Sequence, residues 1–187
     1  RAKLPRPGRI RTRTGEFNAT VFMDIGAVKD SAGKTHDFLV LVDDGTDYAA
    51  CLLIDGHSAL DLSRAVEGGW INFAGPPDLL VGDGERGFSS EEFVSRVARA
   101  GSMYVPTAAY APWQKGKVER KIESIKSVIR KSVLHVGLKD RDDMRVAGFE
   151  AALAVNQRPA TSGVSPSMTL FGQRLKLYGE LYAGGEP

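Results

Sequence analysis

The sequence predicts an α/β domain, with a five-stranded mixed sheet flanked by helices. Three apolar runs of strand length, 19–25, 37–42 and 48–54, follow one another with only short turn-forming segments between them. Such short connections favour an antiparallel meander. From residue 58 onward, helical and strand patterns alternate, which is typical of β-α-β units that extend a sheet with parallel strands. The predicted order of elements is therefore β-β-β-α-β-α-β-α-α.

The middle of the chain contributes the first two helices and the last two strands. A helix is predicted over 58–70, where apolar residues recur at helical spacing. Short strands are predicted at 78–81 and 103–105. Between them, Ser89 and Glu92 have the spacing of a capping box, in which each side chain bonds the other residue's backbone amide. This pair predicts the start of the second helix.

Two more helices are predicted after the last strand. The first covers 117–135 and carries an apolar stripe in steps of three and four residues: Val118, Ile122, Ile125, Ile129 and Val133. The second covers 142–157 and is expected to bury Val146, Phe149 and Leu153. The polar segment before 117 is predicted to be a loop, and after Pro159 only a short helix at 167–171 is expected.

Length and composition narrow the class of protein. The chain of 187 residues can bury one core but is short for two ordinary domains, and its 42% hydrophobic content is that of a globular protein. No apolar run approaches the roughly 20 residues that cross a bilayer, so no membrane partner is expected. Cys51 is the single cysteine, which excludes an intrachain disulfide. We expect a buried core cysteine and a reducing location, nuclear or cytoplasmic.

Positive charge is concentrated in two segments, although the net charge is only +2. The first thirteen residues contain six basic and no acidic side chains, and the second segment lies in the helix predicted at 117–135. Local clusters of this kind attract phosphates. We divide the chain into a basic linker or arm (1–17), a core (18–173) and a C-terminal tail (174–187). Because the chain starts at Arg1 without Met, it is expected to be part of a longer protein.

Three carboxylates are candidates for metal binding and catalysis. Asp24 lies inside an apolar strand, where a charged group costs several kcal/mol unless it is compensated. Asp83 ends a short apolar run, and Glu119 opens the basic helix 35 residues (84–118) further on. Two Mg²⁺ ions about 4 Å apart catalyse phosphoryl displacement with few carboxylates, because substrate phosphate and water complete their coordination. Other acids remain possible on composition alone: Asp43, Asp44, Asp55 and Glu85.

This arrangement resembles the D,D-35-E triad of retroviral and long-terminal-repeat retrotransposon integrases. The segment Tyr110-x-Pro112-x-x-x-Gly116-x-Val118-Glu119-Arg120 is similar to the one that carries their glutamate. Two further stretches contribute to a resemblance that covers about 18–173: Trp70-Ile71 with Gly75-Pro76 and Phe88, and Asn156, Arg158-Pro159, Gly163, Ser165-Pro166 and Leu170-Phe171-Gly172. The chain departs from the family at Gly84-Glu85, where many relatives have Asn-Gly or Arg-Gly. It also lacks the cysteines of the zinc-binding His-His-Cys-Cys domain, and no clear C-terminal DNA-binding barrel is present.

The resemblance implies an RNase H-like fold with Asp24 and Asp83 on adjacent central strands and Glu119 on the helix facing them. It also implies two Mg²⁺ or Mn²⁺ ions held by these three residues when substrate is bound. The implied reactions are hydrolysis at the 3′ ends of element DNA and attack of the new 3′ hydroxyl on target DNA. The implied partners are double-stranded element ends, target DNA and further copies of the chain, as a homodimer or a higher assembly.

A DNA-binding surface is predicted beside the triad. In a helix, basic residues after Glu119 share a side with it and would bind phosphates largely independently of sequence. The predicted contacts are Trp113, Gln114, Lys115, Lys117, Arg120, Lys121, Lys126 and Arg130. Trp113 and Gln114 are expected in the preceding loop, where they could touch an unpaired DNA end with Gly116 as a hinge, although Trp113 could equally pack on the surface. The three histidines have no metal-binding spacing.

Two alternative functions remain open at this stage. A cut-and-paste transposase would use the same acid triad, and several bacterial insertion-sequence transposases have a similar Pro-Trp-Gln-x-Gly segment. The other alternative is a catalytically silent, domesticated module that binds DNA or assists assembly. The intact triad argues against this second alternative.

Overall fold

The computed structural model describes residues 15–83, 87–107, 112–160 and 163–177, without the side chains at 112–115 and 117. Its strands are β1 (Thr20–Lys29), β2 (Thr35–Asp43), β3 (Ala49–Leu53), β4 (Leu79–Gly82) and β5 (Met103–Pro106). Its helices are α1 (Ala59–Val66), a π-helical turn (Glu67–Ile71), α2 (Asn72–Ala74), α3 (Glu91–Ala100), α4 (Pro112–Val136), α5 (Arg141–Asn156) and α6 (Pro166–Phe171). Most of the basic arm predicted at 1–17 and most of the predicted tail lie outside the described residues.

The five strands form one mixed sheet in the order β3-β2-β1-β4-β5. β1, β2 and β3 pair antiparallel, as the short turns between them predict, and β1–β4 and β4–β5 pair parallel. Helices α1 and α3 supply the crossovers that parallel pairing requires. The predicted fold class is confirmed. β1 is the central strand, with the meander on one side and the parallel strands on the other.

Both faces of the sheet are covered, and each has its own apolar core. On β2, Phe38, Val40 and Val42 face α4 and α5, whereas Leu39 and Leu41 face α1 and α3. All five side chains are buried. A strand that is covered on both faces has an uninterrupted apolar sequence instead of an alternating one, and β2 fits that pattern.

The helical segment after β3 is longer than predicted. It was expected to end at residue 70 near Gly68-Gly69, but it continues through the π-helical turn to Ala74 and ends at Gly75, where φ is +75°. Gly69 is in close contact with β3: a Cβ added there would lie 2.2 Å from Leu52 Cδ1. Here glycine permits close packing against the sheet and does not stop the helix.

The capping box predicted for α3 is wrong by one residue. The N-cap is Ser90, whose hydroxyl accepts a hydrogen bond from the Phe93 amide at 3.2 Å, and Ser89 precedes the cap. The third helical position is therefore Phe93, which is fully buried, so packing determines where the helix starts. The helix ends as expected at Gly101, where φ is +103°.

Two predictions about the last long helices are corrected. α4 begins at Pro112, more than a turn earlier than predicted, so Trp113, Gln114 and Gly116 lie in a helix and not in a loop. Proline is well tolerated at a helix start because its missing N–H has no partner there. α5 packs through small residues, and the buried face includes Ala147, Gly148, Ala151 and Ala152. Phe149, predicted to be buried, is 38% exposed.

A side chain of α5 completes the outer edge of the sheet. The Asn156 amide donates to the Ala49 carbonyl at 2.7 Å, and its oxygen accepts from the Ala49 amide at 2.9 Å. Asn156 is buried, so these bonds are shielded from water. Nearby, Cys51 is buried as predicted, and burial raises the pKa of its thiol to about 12. Among the described residues, no helix is both long enough and apolar enough to span a bilayer.

We expect Asp30→Asn to destabilise the fold in a pH-dependent way. Asp30 is buried in the β1–β2 turn, where it accepts hydrogen bonds from the Ala32 and Lys34 amides and lies 2.8 Å from His36 Nε2. The hydrogen bond with His36 is the main cause that lowers the pKa of Asp30 below 3.8. A carboxyl with a lowered folded-state pKa stabilises fully above its unfolded value and loses this contribution as the pH falls through the folded value. The difference in Tm between wild type and variant should therefore be largest near neutral pH and shrink below about pH 3.8.

A second His–Asp pair, between β2 and the segment that precedes α1, provides the control. His57 Nε2 lies 3.1 Å from Asp37 Oδ2, but these side chains are 47% and 39% exposed. Exposed pairs contribute little to stability. Asp37→Asn should leave Tm almost unchanged at every pH, and an equal effect of the two substitutions would contradict the role assigned to Asp30.

Candidate active site

The two candidate aspartates lie side by side where β1 and β4 separate. The strands pair in parallel up to Met23 and Gly82, so Asp24 and Asp83 are the next residues in the register. Neighbouring strands are about 4.8 Å apart. Because side chains alternate along a strand, Asp24 is on the same face as Phe22 and Asp83 is on the same face as Val81, which is the face covered by α4. The register brings both carboxylates towards α4.

Glu119 comes from that helix. Its neighbours Val118 and Ile122 are buried against the sheet, which fixes this part of α4 above the point where the β1–β4 pairing ends. Asp24, Asp83 and Glu119 all line one small cavity of about 30 Å³, together with Phe22, Met23, Val81, Thr107, Val118 and Ile122. That volume has room for about two water molecules. The three residues selected from sequence spacing therefore meet at one opening.

The hydrogen-bonded pairing of β1 with β4 ends after Met23 and Gly82, and the next backbone amide of β1 has a different acceptor. The Leu79 amide donates to the Ala19 carbonyl at 3.0 Å, and in an unbroken ladder of this register the Ile25 amide would donate to the Asp83 carbonyl. Instead, the Ile25 amide donates to Asp24 Oδ1 at 2.8 Å. One Asp24 oxygen thus binds the amide that the lost pairing with β4 would otherwise leave without its ladder partner. The carboxylate lies where the β1–β4 pairing ends, while β1 continues to Lys29.

The donor set fits a hard divalent cation. Within the described residues, no three Asp, Glu, His or Cys side chains converge closely enough to enclose an ion by themselves. The same three carboxylates nevertheless line one cavity. Such an open arrangement suits Mg²⁺, because this ion usually keeps several waters and takes only one or two carboxylates plus substrate phosphate. An open carboxylate site of this kind needs substrate to complete it.

The rival acids are occupied with structural roles or lie elsewhere. Asp43 is fully buried and accepts hydrogen bonds from the Asn18 amide and from both the amide and the hydroxyl of Thr46. Asp55 forms an ion pair with Arg141. Asp44 lies outside the cavity, and Glu85 is outside the described residues.

The basic side of α4 is organised around Glu123. Arg130 and Lys126 both form ion pairs with this exposed carboxylate, and the Arg130 hydrogen bond is the main cause that lowers the pKa of Glu123. The Lys126 stem packs across β1, where a Cβ added to Gly26 would lie 3.0 Å from Lys126 Cδ. Gly26 is two residues beyond Asp24 on the same face of the strand. Lys126 is thereby held beside the candidate site.

The other predicted DNA contacts are placed only in part. The backbone of Trp113, Gln114, Lys115 and Lys117 belongs to the first turns of α4, and their side chains lie outside the description. Arg120 is exposed and Lys121 is half-buried, one and two residues beyond Glu119. Their roles in DNA binding remain predictions.

Sequence reasoning missed two residues of the site. Gly26 had a usable signal, because a glycine within a strand often marks a close approach by another group. Tyr104 on β5 had no sequence signal that pointed to the site. Its hydroxyl donates to the Asp83 carbonyl at 3.1 Å and lies 3.4 Å from the Gly82 carbonyl. Burial is the main cause that raises the pKa of Tyr104, so it remains a donor at neutral pH.

A mixed sheet of this order, with helices on both faces and a carboxylate pair where its central parallel pairing ends, defines an RNase H-like domain. The structure is similar to the HTLV-2 integrase catalytic core domain in complex with magnesium, with a TM-score of 0.66 and 19% identity over 82% of this chain and 97% of that one. For the catalytic core domain of BIV integrase, the TM-score is 0.67 and the identity 15%, over 83% and 95%.

A third similar structure is a larger assembly, the simian T-cell lymphotropic virus intasome in complex with PP2A regulatory subunit B56 gamma. The TM-score is 0.71 and the identity 18%, over 99% of this chain and 65% of that one. No protein-family model matches the chain, and no curated protein is similar to it in sequence. The chain therefore has the fold of a retroviral integrase catalytic core, as the D,D-35-E pattern implied.

Proposed function

We propose that this domain is the catalytic core of a DNA integrase, a metal-dependent polynucleotidyl transferase. The observation that carries the proposal is the shared cavity of Asp24, Asp83 and Glu119, three carboxylates that reach one opening from two strands and a helix. The fold shared with integrase cores supports it. The reactions are hydrolysis at the 3′ ends of element DNA and attack of the resulting 3′ hydroxyl on a target phosphodiester.

The residues of the chain act by positioning and by charge. Asp24 and Asp83 line the cavity from the sheet and Glu119 lines it from α4. Together they would hold two Mg²⁺ or Mn²⁺ ions. When bound, such ions activate the attacking oxygen and stabilise the leaving one. The buried neighbours Phe22, Val81 and Val118 fix the backbone that carries the carboxylates, which limits the reorganisation needed when the phosphate enters. Lys126 and Arg130 lie along the same helix and attract the DNA backbone.

We also propose that the domain acts on double-stranded element ends and target DNA as a homodimer or a higher assembly. The HTLV-2 core, a structural neighbour, is described in dimeric and trimeric forms. Such an enzyme works inside the cell, in the cytoplasm or the nucleus. Light scattering of the purified domain measures the assembly directly.

The direct test is strand joining on a short branched DNA that mimics the integration product. The wild-type domain should resolve this DNA with Mg²⁺ or Mn²⁺ and not with Ca²⁺ or excess chelator. Branched DNA is used because its reaction requires only the active site of the core. A domain that binds Mn²⁺ near Asp24 and Asp83 yet leaves this DNA uncut would contradict the proposal.

A transposase with the same triad is the second candidate. The segment Pro112-Trp113-Gln114-Lys115-Gly116 favours it, because several bacterial insertion-sequence transposases have a similar one. Sequencing the ends of the element that encodes the chain distinguishes the two. Long terminal repeats would support an integrase, and short inverted repeats would support a transposase.

We expect Gly26→Val to weaken DNA binding without unfolding the domain. The new side chain would occupy the space of the Lys126 stem, whose Cδ lies 3.0 Å from a Cβ at this position. Valine is favourable in a strand. If Lys126 contacts a phosphate, both Gly26→Val and Lys126→Ala should reduce the slope of log affinity against log salt by about one. Fluorescence anisotropy with labelled duplex measures the slope, and Lys139→Ala, an exposed lysine outside α4, is the control.

A further inference from the structure

Tyr104 occupies the back of the candidate site. Its ring packs edge-to-face on Phe93, with ring centroids 5.8 Å apart. On its other side, a Cβ added to Gly82 would lie 3.3 Å from Tyr104 Cε2. The ring is therefore held between α3 and the last residue of β4. It belongs to the core under α1 and α3, on the sheet face opposite the carboxylate cavity.

The Tyr104 hydroxyl replaces a missing ladder bond. The Asp83 carbonyl would accept from the Ile25 amide if the two strands stayed paired, but that amide donates to Asp24 Oδ1. The Asp83 carbonyl accepts from Tyr104 Oη instead, at 3.1 Å. Ser89 hydrogen-bonds the same hydroxyl, so Tyr104 contacts both the residue before and a residue after segment 84–86.

From these contacts we infer that Tyr104 is a positioning residue for Asp83. By fixing the Asp83 peptide from behind the sheet, it sets the direction in which the carboxylate enters the cavity beside Asp24. The inference rests on the proposed function. Partners of metal ligands commonly contribute 10- to 100-fold, roughly, to metal affinity or activity, and Tyr104 acts in this way through the backbone of its ligand.

The test is Tyr104→Phe, which removes the hydroxyl and keeps the ring contacts with Phe93 and Gly82. The concentration of Mn²⁺ at half-saturation should rise about tenfold in the variant, in electron paramagnetic resonance titrations and in joining of branched DNA. The KM for DNA should stay unchanged, because Tyr104 lies on the face away from the cavity. A role only in folding would lower Tm without moving the Mn²⁺ midpoint.

Tyr48→Phe is the matched control. Tyr48 is also a partly buried tyrosine whose hydroxyl has a polar partner, Asn156. It lies at the opposite edge of the sheet, directly before β3, whereas Tyr104 is on β5. Its loss should leave Mn²⁺ binding unchanged. A Tyr104→Phe variant with the wild-type Mn²⁺ midpoint would overturn this inference and leave the proposed function standing. A wild-type domain that binds no Mn²⁺ would overturn both.

Discussion

Asp83→Asn and Glu119→Gln should each reduce metal-dependent DNA joining by at least about 10³-fold while the domain stays folded. Each substitution keeps the shape of the side chain and removes the negative charge that attracts the cation. Both residues are exposed, so the free energy of unfolding should change by less than about 1 kcal/mol. Gel assays of branched DNA and thermal unfolding measure the two quantities.

Asp78→Asn provides the control for these variants. Asp78 is an exposed aspartate that immediately precedes β4, at the opposite end of the same short strand from Asp83. Its substitution changes the net charge equally and should leave joining within about twofold of wild type. Joining at the wild-type rate by either triad variant would exclude the proposed assignment. Equal losses in all three variants would indicate a general effect of charge.

Gly148→Val should be among the most destabilising single substitutions in the domain, by about 3 kcal/mol. Gly148 lies where α5 approaches the sheet, and a Cβ there would be 2.9 Å from Phe38 Cε1 and 3.5 Å from Cys51 Sγ. Phe38 is 1% exposed in the middle of β2, so its ring has no space to move into. The Tm should fall by roughly 6 to 12 °C for a domain of this size.

The same substitution at Gly68 separates packing from helix propensity. Gly68 is an exposed glycine in the π-helical turn, and a Cβ there has no atom within 4 Å. Gly68→Val should change stability by less than about 1 kcal/mol, in the stabilising direction. Replacing the ring by a smaller side chain with Phe38→Leu should restore part of the stability that Gly148→Val removes. A double-mutant cycle should give a coupling of about 1 kcal/mol or more. Additive effects would contradict the proposed clash.

The sheet was predictable because turn lengths and apolar runs are local features of the sequence, whereas the catalytic role of the triad stays a prediction. The order of strands follows from turn lengths and apolar runs, and β1 to β5 all lie within a few residues of their predicted positions. Asp24 could be singled out because a carboxylate within an apolar strand costs free energy unless another group compensates its charge. Glu119 could not be selected from a local pattern, since its helix starts earlier than predicted. The resemblance to integrases singled it out.

The errors share a cause, which is tertiary contact overriding local preference. Gly69 sits within a helix because Leu52 requires the space, and Phe93 takes the place that a capping glutamate would hold. The size of Phe149 predicts burial, but close packing of α5 on the sheet places Gly148 on the buried face and leaves Phe149 exposed. Tyr104 could not be found, since nothing in its neighbourhood shows that its hydroxyl reaches the Asp83 carbonyl.

The pairing of Asn156 with Ala49 bears on how the domain behaves in solution. β3 is the outer strand of the meander, and an outer strand with unpaired backbone groups can recruit a strand from another molecule. The Asn156 amide offers one donor and one acceptor to Ala49, as a sixth strand would at that position. A helix side chain thus ends the sheet where it would otherwise extend. Asn156→Leu should therefore promote edge-to-edge aggregation, even if the carboxylate cavity on the far side of β1 is unaltered.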